Sequence, residues 1–151
     1  MKTQALTVKA AIQIQRAANM VFQAIVDPKQ MSNYFISESS GVMEEGKNLI
    51  WKFPEFDEEA PIKVGKIEKN KSIEFSWVVN NHDHVVQILI EEKTDFSTVV
   101  RITETGGAFD ENGIIWLTGN TEGWANFLAC LKAWLEYGIN LRKGAFDFMN
   151  G

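Results

Sequence analysis

The feature that most constrains this chain is an apolar stripe near its C-terminus. Trp124, Phe127, Leu128, Leu131, Trp134, Leu135 and Gly138 follow one another at intervals of 3, 1, 3, 3, 1 and 3 residues. That rhythm keeps the large side chains on one side of an α-helix. A helix from about Thr121 to Leu141 is expected to be roughly 30 Å long at about 1.5 Å per residue. Bare in water, its apolar turns would have nothing to hold them helical. It must lie across another element, and the rest of the chain must supply a surface broad enough to cover it.

That surface is legible as strands. Val8, Ala10, Ile12 and Ile14 alternate with Lys9, Ala11, Gln13 and Gln15, which predicts a strand with one wet face over Thr7 to Arg16. Helical spacing follows over Asn19 to Val26, and Asp27-Pro28-Lys29-Gln30 opens a second short helix. From Phe35 to Gly106 the pattern returns to period two. Leu49, Trp51 and Phe53 mark one strand, Ile62 and Val64 the next, and Ile73, Phe75, Trp77 and Val79 another. Val86, Ile88 and Ile90, then Val100 and Ile102, mark two more, separated by polar turns such as Asn80 to His84 and Lys93-Thr94-Asp95. The expected architecture is α+β in one domain, 1–151: a curved antiparallel sheet of about seven strands wrapped around the C-terminal helix.

Charge and composition exclude several functions. With 15 Lys+Arg against 20 Asp+Glu, the net charge of -5 does not suit a nucleic-acid module. No run of apolar residues is long enough to span a membrane, and the N-terminus lacks a signal-peptide stretch, so the expected location is cytoplasmic. The single cysteine, Cys130, reads as a buried core residue. His82 and His84 read as solvated turn histidines, since zinc sites need three or four ligands at recognisable spacings. No catalytic residue, cofactor or metal site is expected. No phosphate loop, paired acid–base carboxylates or nucleophile signature occurs.

Several stretches resemble the family named after the activator of heat-shock protein 90 ATPase, within the START-like, birch-pollen-allergen-type (SRPBCC) superfamily. They are Val21-Phe22-Gln23-Ala24-Ile25 with Asp27 to Met31 and Tyr34-Phe35, Gly65 to Glu68 with Ile73 to Trp77, and Thr98 to Thr103. The fourth, on the helix, is Glu122-Gly123-Trp124, Phe127-Leu128, Leu131-Lys132 and Leu135-Glu136. Ala18 stands where the family usually has proline, and Tyr34 where it has tryptophan. The resemblance implies a helix-grip fold with a cavity between sheet and helix for apolar ligands, lipid or aromatic. It also implies, as the alternative, an accessory of the heat-shock protein 90 chaperone in the stress response, acting through a protein–protein surface. Some superfamily members are cyclases or aromatases. That chemistry needs a cluster of inward polar groups, and here only Glu104 and Tyr34 can be named.

The expected cavity walls are Trp51, Phe53, Phe75, Trp77, Ile88 and Ile102 from the sheet, with Trp124, Phe127, Leu131 and Trp134 facing them from the helix. Tyr34 and Phe35 are expected at the mouth. Each of these side chains also serves simply as core. Glu104 shares parity with Val100 and Ile102 and can point inward, although a solvated or ion-paired strand end is the plainer expectation.

Overall fold

The computed structural model describes residues 5–150. The chain runs β1 (Leu6–Ile14), α1 (Ala18–Val26), α2 (Pro28–Met31), β2 (Glu38–Ser39), β3 (Asn48–Lys52), β4 (Glu59–Glu68), β5 (Ser72–Val79), β6 (His82–Thr94), β7 (Ser97–Gly107) and α3 (Glu111–Tyr137). A turn of 3₁₀ helix, Asp147–Asn150, follows. The strands form one antiparallel sheet of seven in the order β1-β7-β6-β5-β4-β3-β2. The expected helix-grip architecture is the observed one.

Local chemistry sets the boundaries. Asp27 caps α2 by accepting the Lys29 N–H at 2.9 Å, with Pro28 in the first turn. Asn80 and Asn81 both take positive φ, 51° and 65°, which closes the β5–β6 hairpin with a two-residue loop. The tip is therefore shorter than the sequence pattern suggested, and β6 already begins at His82.

The long helix starts ten residues earlier than expected and stops sooner. Asp110 accepts the Gly113 N–H at 2.7 Å and so fixes the start. Gly138 takes the left-handed conformation, φ 66°, and returns its N–H to the Trp134 carbonyl at 2.9 Å, while Ile139 bonds the Ala133 carbonyl. That closure ends the helix at Tyr137, short of Leu141.

The inner sheet face and the α3 stripe enclose the core. Val8, Phe75, Val86, Ile88, Val100 and Ile102 meet Trp124, Phe127, Leu128 and Leu131, with α1 and α2 closing one side. Aromatic rings interlock in its middle. Phe35 sits edge-on to Phe127 at 4.7 Å and to Trp51 at 5.7 Å, and Trp51 is edge-on to Phe75 at 5.1 Å. The centre of the helix–sheet interface, where a cavity was expected, is filled by these rings. Open space lies at one end instead.

Candidate functional site

The site begins with strand register. In β7, Val100, Ile102 and Glu104 point inward, and Glu104 pairs with Val8 of β1 on one side and Val86 of β6 on the other. An acidic side chain therefore occupies an apolar row, and it is fully buried. Such a group must be hydrogen-bonded or its burial is prohibitive.

Five side chains meet that need. Oε1 accepts from Trp124 Nε1 at 2.8 Å and Asn120 Nδ2 at 2.9 Å. Oε2 accepts from Trp77 Nε1 at 3.0 Å and Trp116 Nε1 at 3.3 Å, and stands 3.0 Å from His84 Nδ1. Three indoles and an amide are obligate donors here, an arrangement matched to the acceptor-only form of a carboxylate. With Oε2 as its acceptor, His84 carries its proton on Nδ1. Glu104 is thus buried and not solvated, which corrects half of the plainer expectation; among the described residues its one ion-pairing neighbour is His84, not Lys or Arg. His84 is likewise buried and not a solvated turn residue. The two-residue hairpin loop keeps it in strand parity with Val86 and Ile88, opposite Trp77.

Two glycines make room for this arrangement. A Cβ on Gly107 would lie 2.4 Å from the Trp116 ring, so only glycine lets that indole settle over the end of β7. Gly106, at φ 148°, would otherwise press against the His84 ring and the Asp83 carbonyl.

Beside the carboxylate hub opens a pocket of about 460 Å³. Phe35, Phe53, Phe56, Trp77 and Trp124 wall it, and Phe146, Phe148 and Met149 of the segment after α3 close over it. Asn120, Glu122, Asn126 and Arg142 supply its polar surface. Arg142 ties the C-terminal segment down through an ion pair with buried Glu55 and lies over the rings of Phe35 and Phe146. Its Nε is buried without a hydrogen-bond partner among the described residues. A more polar groove of about 740 Å³ runs along the other side of Arg142, past Ser32, Ser37 and Lys143.

Of the residues expected at the ligand, Phe35, Phe53, Trp77 and Trp124 lie on the pocket wall. Glu104 lies one side-chain layer behind it, since Trp77, Trp124 and Asn120 both bond Glu104 and line the space. Trp51, Phe75, Ile88, Ile102, Phe127 and Leu131 are packed in the core. Trp134 is half-buried on the stretch of α3 beyond the pocket. Tyr34 borders the more polar groove, but it is buried: its hydroxyl donates to the Ala24 carbonyl at 2.9 Å, and burial pushes its phenol well above the ordinary value. Sequence reasoning missed Trp116, Asn120, His84, Phe56, Arg142, Phe146 and Phe148. A signal existed for two of them, because Trp116, Asn120 and Trp124 recur every four residues and so share a helix face.

Among the described residues no group of three or more His, Cys, Asp or Glu could hold a metal ion, and no helix is long and apolar enough to cross a membrane. Among solved structures, the chain is 34% identical to SSP2350 from Staphylococcus saprophyticus, with a TM-score of 0.76 over 91% of this chain and 96% of that one. It superposes on DynU16 from the dynemicin biosynthetic locus at a TM-score of 0.77 with 19% identity, covering 89% of this chain and 48% of that one. The Aha1 dimer from Colwellia psychrerythraea gives a TM-score of 0.73 at 21% identity, over 88% and 98% of the two chains. At such identities the last two likenesses establish the shared fold alone. No curated protein matches the chain. The family described as Activator of Hsp90 ATPase homolog 1-like protein matches residues 15–136, from the end of β1 almost to the end of α3. The chain belongs to that family, and its sheet and long helix are the START-like helix-grip fold.

Proposed function

We propose that this chain is a cytoplasmic binding protein that holds an apolar or aromatic small molecule in the pocket between β5, α3 and the C-terminal segment. The observation that carries the reading is the pocket itself: about 460 Å³, walled by Phe35, Phe53, Phe56, Trp77, Trp124, Phe146 and Phe148. Small-molecule sites are of this size and are lined in this way, with few polar groups to orient a guest. Membership of a START-like family supports it.

The test is a titration with N-phenyl-1-naphthylamine, a neutral aromatic fluorophore. Saturable, stoichiometric quenching of tryptophan emission is expected, and Trp77→Ala should weaken it. A flat titration with this probe and a panel of other apolar compounds overturns the reading.

The family description favours a second reading, in which the chain assists heat-shock protein 90 through its surface. Stimulation of that chaperone's ATPase by a variant with a blocked pocket would support it.

A further inference from the structure

We propose that the pocket selects guests by charge, preferring organic cations such as aromatic quaternary ammonium compounds over anions of the same size. The inference rests on the reading that the pocket takes a small-molecule guest, and it goes on to the chemical class of that guest.

Glu104 is fully buried, and its five partners are three indoles, an amide and an imidazole. The indoles and the amide are neutral donors, which stabilise a carboxylate through their dipoles but leave its unit of negative charge in place, as does the His84 imidazole in its unprotonated form. No Lys or Arg among the described residues pairs with it. In a poorly solvated interior that charge is felt at distances where water would have screened it. Three of its partners, Trp77, Asn120 and Trp124, are also pocket wall, so the charge stands directly behind the surface a guest would touch.

The other charged groups at the pocket leave that sign unopposed. Of the two at the pocket, Glu122 is an exposed carboxylate, and Arg142 is already neutralised by Glu55. His84, the only titratable partner of Glu104 among the described residues, lines a separate recess with His82, Asp110 and Trp116, away from the guest. The walls themselves suit a cation. Seven aromatic rings surround the space, and rings of this kind attract ammonium groups through their quadrupole.

Two probes of similar size and opposite charge test this: benzyltrimethylammonium and phenylmethanesulfonate, each displacing N-phenyl-1-naphthylamine in the same buffer. Both carry a full charge into the pocket, and Glu104→Gln separates the effect of its sign from their different hydration. The cation is expected to bind about tenfold more tightly, the scale of a charge–charge interaction across one layer of side chains in a poorly solvated interior. Glu104→Gln should remove the larger part of that contrast and leave what the rings contribute, and Glu122→Gln, at the exposed rim, should remove a smaller part. If the neutral fluorophore binds and the anion competes as well as the cation, the charge proposal is overturned and the pocket reading stands. Loss of the whole contrast in Glu122→Gln also overturns it, a result that does not depend on how well Glu104→Gln folds. If the neutral fluorophore fails to bind, both readings fall together.

Discussion

Replacing Glu104 by leucine keeps the volume of the side chain and deletes the acceptor at the centre of the hub. The indole N–H groups of Trp116 and Trp124 are buried where they meet Glu104, and neither can change its protonation to adapt. Trp77 and Asn120 are only partly buried there and can turn toward the pocket. His84 can move its proton to Nε2. Two orphaned donors at about 1–3 kcal/mol each give a penalty of roughly 2–6 kcal/mol. Leucine no longer buries a charge, which returns part of that and leaves about 2–4 kcal/mol of net destabilisation. For a chain of this size the melting temperature should fall by roughly 5–15 °C. Glutamine should be milder. Its carbonyl can serve Trp124 and Asn120 while its amide N–H donates to an Nδ1 that His84 has unprotonated. Thermal unfolding followed by circular dichroism, with near-ultraviolet bands reporting the tryptophans, should rank wild type above Glu104→Gln and Glu104→Gln above Glu104→Leu. A leucine variant as stable as wild type, with its near-ultraviolet spectrum unchanged, would refute the claim that Glu104 holds these indoles.

Three further outcomes are expected. Leu131 is fully buried under the sheet, so Leu131→Asp places an unpaired charge in the core and should give no folded product; a soluble variant with an unchanged melting temperature would contradict the packing of α3. Burial pushes the Cys130 thiol up, outweighing the opposing pull of Arg142, so a disulfide-exchange reagent should label it only after unfolding in urea, and rapid labelling of the native protein would count against it. For Glu136, burial would raise the carboxyl, but hydrogen bonds from Lys132 and the Gln15 N–H outweigh it and hold the group below its ordinary value of 4.5. Its stabilisation is therefore complete above that value and lost as pH falls through the lowered one, so the gap in urea midpoint between wild type and Glu136→Gln should close in acid. A gap that does not change with pH would sink this assignment.

The strands were legible because their signal is local. A sheet with one buried face imposes alternation on every strand, and Val8 to Ile14 or Val86 to Ile90 carry it without help from distant residues. Helix α3 was legible only over the part with a dense apolar stripe. Its first turns hold Asn112, Gly113, Thr118 and Gly119, weak helix formers, and leave Ile114 and Ile115 exposed. What keeps this stretch helical is tertiary: the Asp110 cap at one end and Trp116 and Asn120 bonded to Glu104 further along. Propensity alone has no access to such anchors.

The hub was not legible for a related reason. It exists because β5, β6, β7 and α3 each send a donor or acceptor to one point, and that convergence depends on register and on a two-residue hairpin loop. An inward glutamate near a strand end looks the same in sequence whether it meets water, a lysine or three indoles. The pocket follows from the hub in turn. Glu104 fixes the N–H edges of Trp77 and Trp124, so the same residue positions two of the walls and supplies the charge behind them. Phe53, Phe56, Phe146 and Phe148 contribute rings and no hydrogen bond from their side chains. Exchange of those phenylalanines can therefore reshape the space for a different guest at small cost to the fold. A change at Glu104 must alter the walls, the charge and the stability together.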